Sequence, residues 1–188
     1  AAGPFFHWAD YGIPCTPSAA AISAILRDRR FGREVPPQAR RLVPPHLEPF
    51  YAVEAHSMLE LEPPRHTRLR ALVLRAFASR RIAALGPEIA VLCDSLIDGF
   101  PGEAWDLLPL YAQRLPVIVI ARLLGVPEAM APELLAWSNA MVGMYMAGRT
   151  RATEDRAATA AAEFAQSLRG HIAARRTRPA DDLISHLI

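Results

Sequence analysis

Lysine does not occur in this sequence, so all 21 basic residues are arginine. The formal net charge is only +2, and charges of both signs are scattered along the chain. A nucleic-acid protein concentrates its basic residues on one face, so that class is not expected, and the arginine and alanine bias reads as coding bias. Cysteine is equally scarce. Cys15 and Cys93 form neither a disulfide framework nor a metal-ligand spacing, and they fit a reducing cytoplasm. Long apolar runs are missing as well. The longest, Leu115 to Leu124, is too short to span a bilayer and contains Arg122, so no membrane partner is expected. Residues Ala1 to Asp10 lack the basic start and apolar run of a secretory signal. There is no Gly-x-Gly-x-x-Gly, phosphate loop, Gly-x-Ser-x-Gly or His-Glu-x-x-His. The histidines at 7, 46, 56, 66, 171 and 186 are dispersed, with no metal-ligand pairing, and no internal repeat is visible.

What is present suits one ordinary domain: 188 residues, 52% of them hydrophobic, enough for a sizeable core. The pattern predicts a mainly α fold with a small N-terminal β hairpin. Phe5–Trp8 and Gly12–Thr16 read as short strands around a turn at Asp10–Gly12. Thr16-Pro-Ser18 opens a helix through Arg30, with Ile22, Ile25 and Leu26 as its buried stripe. From Val35 to Leu61 five prolines break the pattern, and a long loop is expected. Ser79 is the expected cap of a helix that runs to Asp98 and stops at Gly99. Its core stripe is Ile82, Leu85, Ile89, Leu92 and Leu96, with Cys93 as a small buried neighbour. Leu110–Leu124 is apolar all round and ends at Gly125, which predicts a helix buried on most sides. A Met-rich helix over Glu128–Met146, a long helix to about Arg176 and a short capped helix after Pro179 complete the reading.

The stretch Leu61–Phe77 organises the rest. Paired prolines end the loop, with Pro64 expected at the first helical position. At helical spacing Leu69, Leu72, Val73, Ala76 and Phe77 share one apolar arc. His66 and Arg70 flank that arc one turn apart, whereas Arg68 and Arg75 point away into solvent. An imidazole and a guanidinium turned toward an apolar face need an anionic or polar partner there.

Pro-Pro-Arg-His66-Thr-Arg-Leu-Arg70 followed by Ala-Phe-Ala-Ser-Arg-Arg resembles the C helix of bacterial cytochromes P-450, the haem-thiolate monooxygenases. Leu26-Arg-Asp-Arg-Arg-Phe-Gly-Arg-Glu34, Leu123-Leu-Gly-Val-Pro127 and Asp181-Asp-Leu-Ile-Ser185 resemble further phrases of that family. Glu62 and Arg65 depart from it, where an Asp and often a Glu are usual. The resemblance implies a single domain, of which 1–188 is the N-terminal portion (1–17 small β region; 18–60 helix B and the B–C loop; 61–188 helices C to H). It also implies that His66 and Arg70 bind a propionate of haem b. The B–C loop would place Phe50, Tyr51, Val53 and His56 near substrate, and the helix F–G lid would add Met141, Met144 and Tyr145. Arg65, Arg68 and Arg75 would face a ferredoxin-type redox partner. The family's Cys loop is missing, and Cys15 and Cys93 do not match it, so the chain is expected to be inactive alone and to self-associate through uncovered apolar surface. The resemblance therefore implies part of a cytoplasmic monooxygenase that hydroxylates a hydrophobic small molecule with O2. The alternative is a truncated, non-catalytic relative that binds or activates a partner.

Overall fold

The chain opens with an antiparallel hairpin, β1 (Phe6–Trp8) and β2 (Ile13–Cys15), with Phe6 opposite Cys15 and Trp8 opposite Ile13. In this computed structural model residues 3–40, 42–77, 79–102 and 104–188 are described, and for 76 and 79–81 the backbone alone.

Helix α1 (Ala19–Arg27) starts where expected, with the Ser18 hydroxyl accepting from the Ala21 amide at 3.3 Å. It stops short of Arg30 because Asp28 turns extended and its carboxylate takes the Arg30 amide at 2.9 Å. The expected buried stripe is not formed. Leu26 is 81% exposed, Ile22 is exposed and Ile25 is half-buried, because no described element covers this face.

The expected long loop is also corrected. It contains 3-10 turns at Pro37–Ala39, Pro45–Leu47 and Met58–Glu60, and a helix, α2 (Glu48–Glu54). Pro37, Pro45 and Pro49 sit in first turns, where a missing N–H costs nothing, so these prolines start helical segments instead of preventing them.

Helix α3 (Arg65–Ala76) begins one residue after Pro64, and the Pro63–Pro64 peptide is cis. Its arc is only partly covered: Leu69 and Val73 are half-buried, and Leu72 and Phe77 exposed. The fifth expected member, the Ala76 side chain, lies outside the described residues, as does the Ser79 cap. Helix α4 (Ser79–Asp98) has the expected bounds and buries Leu92 and Leu96. Leu85, Ile89 and Cys93 are half-buried and Ile82 is exposed, so the stripe is buried only in its C-terminal half.

The helix expected from Leu110 begins as a π turn, Leu108–Ala112, and becomes α5 (Arg114–Leu124). The Gln113 amide reaches back to the Leu108 carbonyl at 2.9 Å, and Pro116 has no amide to donate in the following turn. Its burial is one-sided: Val117, Ile118 and Ala121 are buried and Ile120 is exposed. The Met-rich helix is shorter than expected, α6 (Ala131–Val142), with 3-10 turns at Glu128–Met130 and Gly143–Tyr145 on either side. Helix α7 (Arg151–Thr177) is capped by Thr150, and α8 (Leu183–Leu187) by Asp182.

Two cores result. The larger joins Leu92, Leu96, Val117, Ile118, Ala121, Val126, Ala131, Leu134 and Ile184. The smaller joins Leu47, Phe50, Met144, Ala157 and Ala161. Helix α7 spans both, and its alanines let α2 approach closely.

Three residues lock α5, α7 and α8 together. Gly125 ends α5 at φ +74, and a Cβ built there would lie 2.1 Å from the Asp182 Oδ2. Arg175 on α7 donates to the Gly125 carbonyl at 2.6 Å and to the Asp182 carboxylate. Asp182, 3% exposed, also accepts from the Ser185 amide at 2.8 Å. Burial alone would raise its pKa, but the Ser185 donors and the Arg175 guanidinium outweigh it and hold it below the ordinary 3.8. Glu154 is likewise held below its ordinary 4.5, by His46 first and then Arg149. A carboxylate depressed in the native state stabilises above its unfolded pKa and loses that contribution as pH falls through the native one. The urea midpoint is therefore expected to hold steady from about pH 7 to about pH 5 and to fall below about pH 4. Asp182→Asn flattens that acid limb.

Candidate functional site

Helix α3 carries the candidate pair. Four-residue spacing places His66 and Arg70 one above the other on a single face. His66 is half-buried and Arg70 exposed. Among the described residues neither side chain has a hydrogen-bond or ion-pair partner. An imidazole and a guanidinium fork, adjacent and unspent, form a donor set suited to one carboxylate, with the fork able to bind both oxygens. The two donors present therefore suit a propionate carboxylate, and the partly uncovered apolar face beside them suits the apolar body of a haem.

The entry to α3 is fixed by residues that the sequence did not single out for this purpose. Glu62 Oε1 accepts from the Arg33 amide at 2.7 Å and Arg33 pairs with Glu60, which ties the segment after α1 to the residues just before α3. Arg65 donates to the Ala55 carbonyl at 3.0 Å, joining the first turn of α3 to the end of α2. Arg68 and Arg75 are exposed and have no partner among the described residues.

The other candidates separate into two groups. Phe50, 4% exposed, and Met144 belong to the smaller core, where they pack on Leu47, Ala157 and Ala161. Val53 and Met141 are half-buried against that core, and Tyr51 and His56 are exposed. The structure brings Tyr145 to the end of α2, where its phenol donates to Glu54; partial burial and this bond push its pKa up. Met141 also lines an apolar cavity of about 480 Å³ between α5, α6 and α7, with Ile120, Leu124, Leu135 and Phe164. The contacts of Glu54 and Glu62 were missed in the sequence, because no local spacing marks a partner that comes from a distant segment. Among the described residues there is no helix long and apolar enough to cross a membrane, and no His/Cys/Asp/Glu cluster that could hold a metal.

No protein-family profile matches the chain, but individual proteins do. It is 34% identical to cytochrome P450 107B1 of Saccharopolyspora erythraea over 160 residues, which is 84% of this chain and 38% of that protein. With cytochrome P450 monooxygenase PikC of Streptomyces venezuelae the identity is 36% over 168 residues, 88% of this chain and 38% of PikC. Among solved structures it superposes on P450BioI, determined in complex with an acyl carrier protein ligated to hexadec-9Z-enoic acid, with a TM-score of 0.87 and 25% identity. That match covers 98% of this chain and 48% of P450BioI. The chain thus spans less than half the length of these relatives, and the part it matches is the N-terminal one. By sequence and by fold alike, it belongs to the bacterial cytochromes P-450.

Proposed function

We propose that this chain forms the N-terminal part of a haem-dependent monooxygenase that hydroxylates a hydrophobic small molecule, using O2 and electrons from a ferredoxin-type partner. The observation that carries the reading is the His66–Arg70 donor set on α3, which has no partner among the described residues. In this reading the two side chains hold one propionate and so orient the haem b, which supplies dioxygen activation when ligated by a thiolate. That thiolate is assigned to a residue outside this sequence, because Cys15 lies in strand β2 and Cys93 on α4 between core positions. Tyr51, Val53, His56, Met141 and Tyr145 contribute to the substrate wall, and Phe50 and Met144 support it from behind. The test is turnover of the whole enzyme under isotopically labelled dioxygen. One labelled oxygen atom in the product supports the reading, and a product oxygenated from water contradicts it.

Arg68 and Arg75, exposed and without a partner among the described residues, provide the basic half of the redox-partner contact, with Arg65 beside them. Exposed charges act mainly on encounter, so their effect is strongest at low salt. Arg68→Glu in the whole enzyme is expected to slow reduction by the acidic partner about tenfold at low ionic strength, with unchanged haem content. An unchanged rate would remove this face from the docking site.

A further inference from the structure

The α3 donor pair is only as well placed as the first turn that carries His66, and Glu62 holds that turn. The His66 amide donates to the Glu62 carbonyl at 3.1 Å, so the backbone of His66 follows that of Glu62. The segment after α1 grips Glu62 in turn, at two points. The Glu62 amide donates to Glu34 Oε2 at 3.4 Å, and Glu62 Oε1 accepts from the Arg33 amide at 2.7 Å. Arg40 fixes Glu34 at 2.9 Å. Gly32 leaves the room that this grip needs: a Cβ built there would lie 2.9 Å from Glu62 Oε1. The end of the Glu62 side chain is the movable partner in that contact. A larger residue at 32 therefore drives the carboxylate off the Arg33 amide.

We propose that Glu62 is a positioning residue for the donor pair, acting through His66, and that Gly32 supplies the space for it. The inference rests on the propionate reading of His66 and Arg70. A side chain grips a ligand well only when surrounding hydrogen bonds fix its own placement. Glu62 gives His66 that support from outside the site. Its side chain has no donor for a propionate and carries the same charge, so its favourable effect on haem passes through the residue it holds.

Haem transfer from the whole enzyme to an acceptor protein tests this as a double-mutant cycle. Glu62→Ala speeds transfer about fivefold, the scale of one hydrogen bond. Glu62→Gln keeps an oxygen for the Arg33 amide and stays close to the parent. Gly32→Ala behaves as Glu62→Ala does. In a His66→Ala background, Glu62→Ala adds less than about twofold, because the residue it positions is gone. Amide hydrogen exchange reads the hold itself without reference to haem. In Glu62→Ala it rises at the His66 amide, and unchanged protection in α5 and α8 shows that the main core stays folded. An unchanged transfer rate in His66→Ala alone defeats the propionate reading and this inference with it. The same rise from Glu62→Ala in both backgrounds, no rise in the parent background, or unchanged exchange at His66 overturns this inference alone.

Discussion

Arg175→Ala is expected to destabilise the chain by about 3 kcal/mol, the scale for removing one partner of a buried ion pair. The loss follows from what remains behind. Asp182 is buried, and without the guanidinium only the Ser185 donors remain to it among the described residues. The Gly125 carbonyl loses its donor in the same step. Arg175→Lys restores charge but not the fork that reaches both acceptors, so it should recover less than half of the loss. Gly125→Ala attacks the node from the other side: a left-handed φ for a residue with Cβ costs about 1–2 kcal/mol, before the contact with Asp182 is counted. Chemical denaturation of the three variants checks the set. Loss below about 1 kcal/mol in Arg175→Ala would mean that Asp182 finds water or another partner.

The second large effect concerns the α3 pair. In the whole enzyme, Arg70→Ala is expected to weaken haem retention about tenfold, and His66→Ala with Arg70→Ala about a hundredfold, the scale of charge-assisted hydrogen bonds to a carboxylate. Arg70→Lys falls between parent and Ala because a point charge replaces a bidentate fork. Haem transfer to an acceptor protein measures this directly. Equal retention in all variants would separate α3 from the propionate.

Where the chemistry is local, the sequence was legible. The hairpin, the Ser18 cap, the bounds of α4 and the Gly125 stop all follow from residues a few positions apart. The helix that sets His66 and Arg70 one turn apart is of the same kind. Prolines misled because a proline that ends one segment is equally suited to begin the next, which hid α2. The stripe of α1 misled because periodicity tells which residues share a face and not what covers it. Glu54 and Glu62 find partners far away in the chain, at Tyr145 and Arg33, and spacing carries no trace of them. Arg175 is only seven residues before Asp182, but the end of α7 lies between them and breaks the helical spacing.

The most direct measurement is the absorption spectrum of the purified native protein, reduced and exposed to carbon monoxide. The account predicts bound haem with the red-shifted Soret band of a thiolate-ligated ferrous carbonyl, lost progressively in His66→Ala and Arg70→Ala as haem leaves. A native protein without haem, or one whose reduced carbonyl band is that of a histidine-ligated haem, would contradict it.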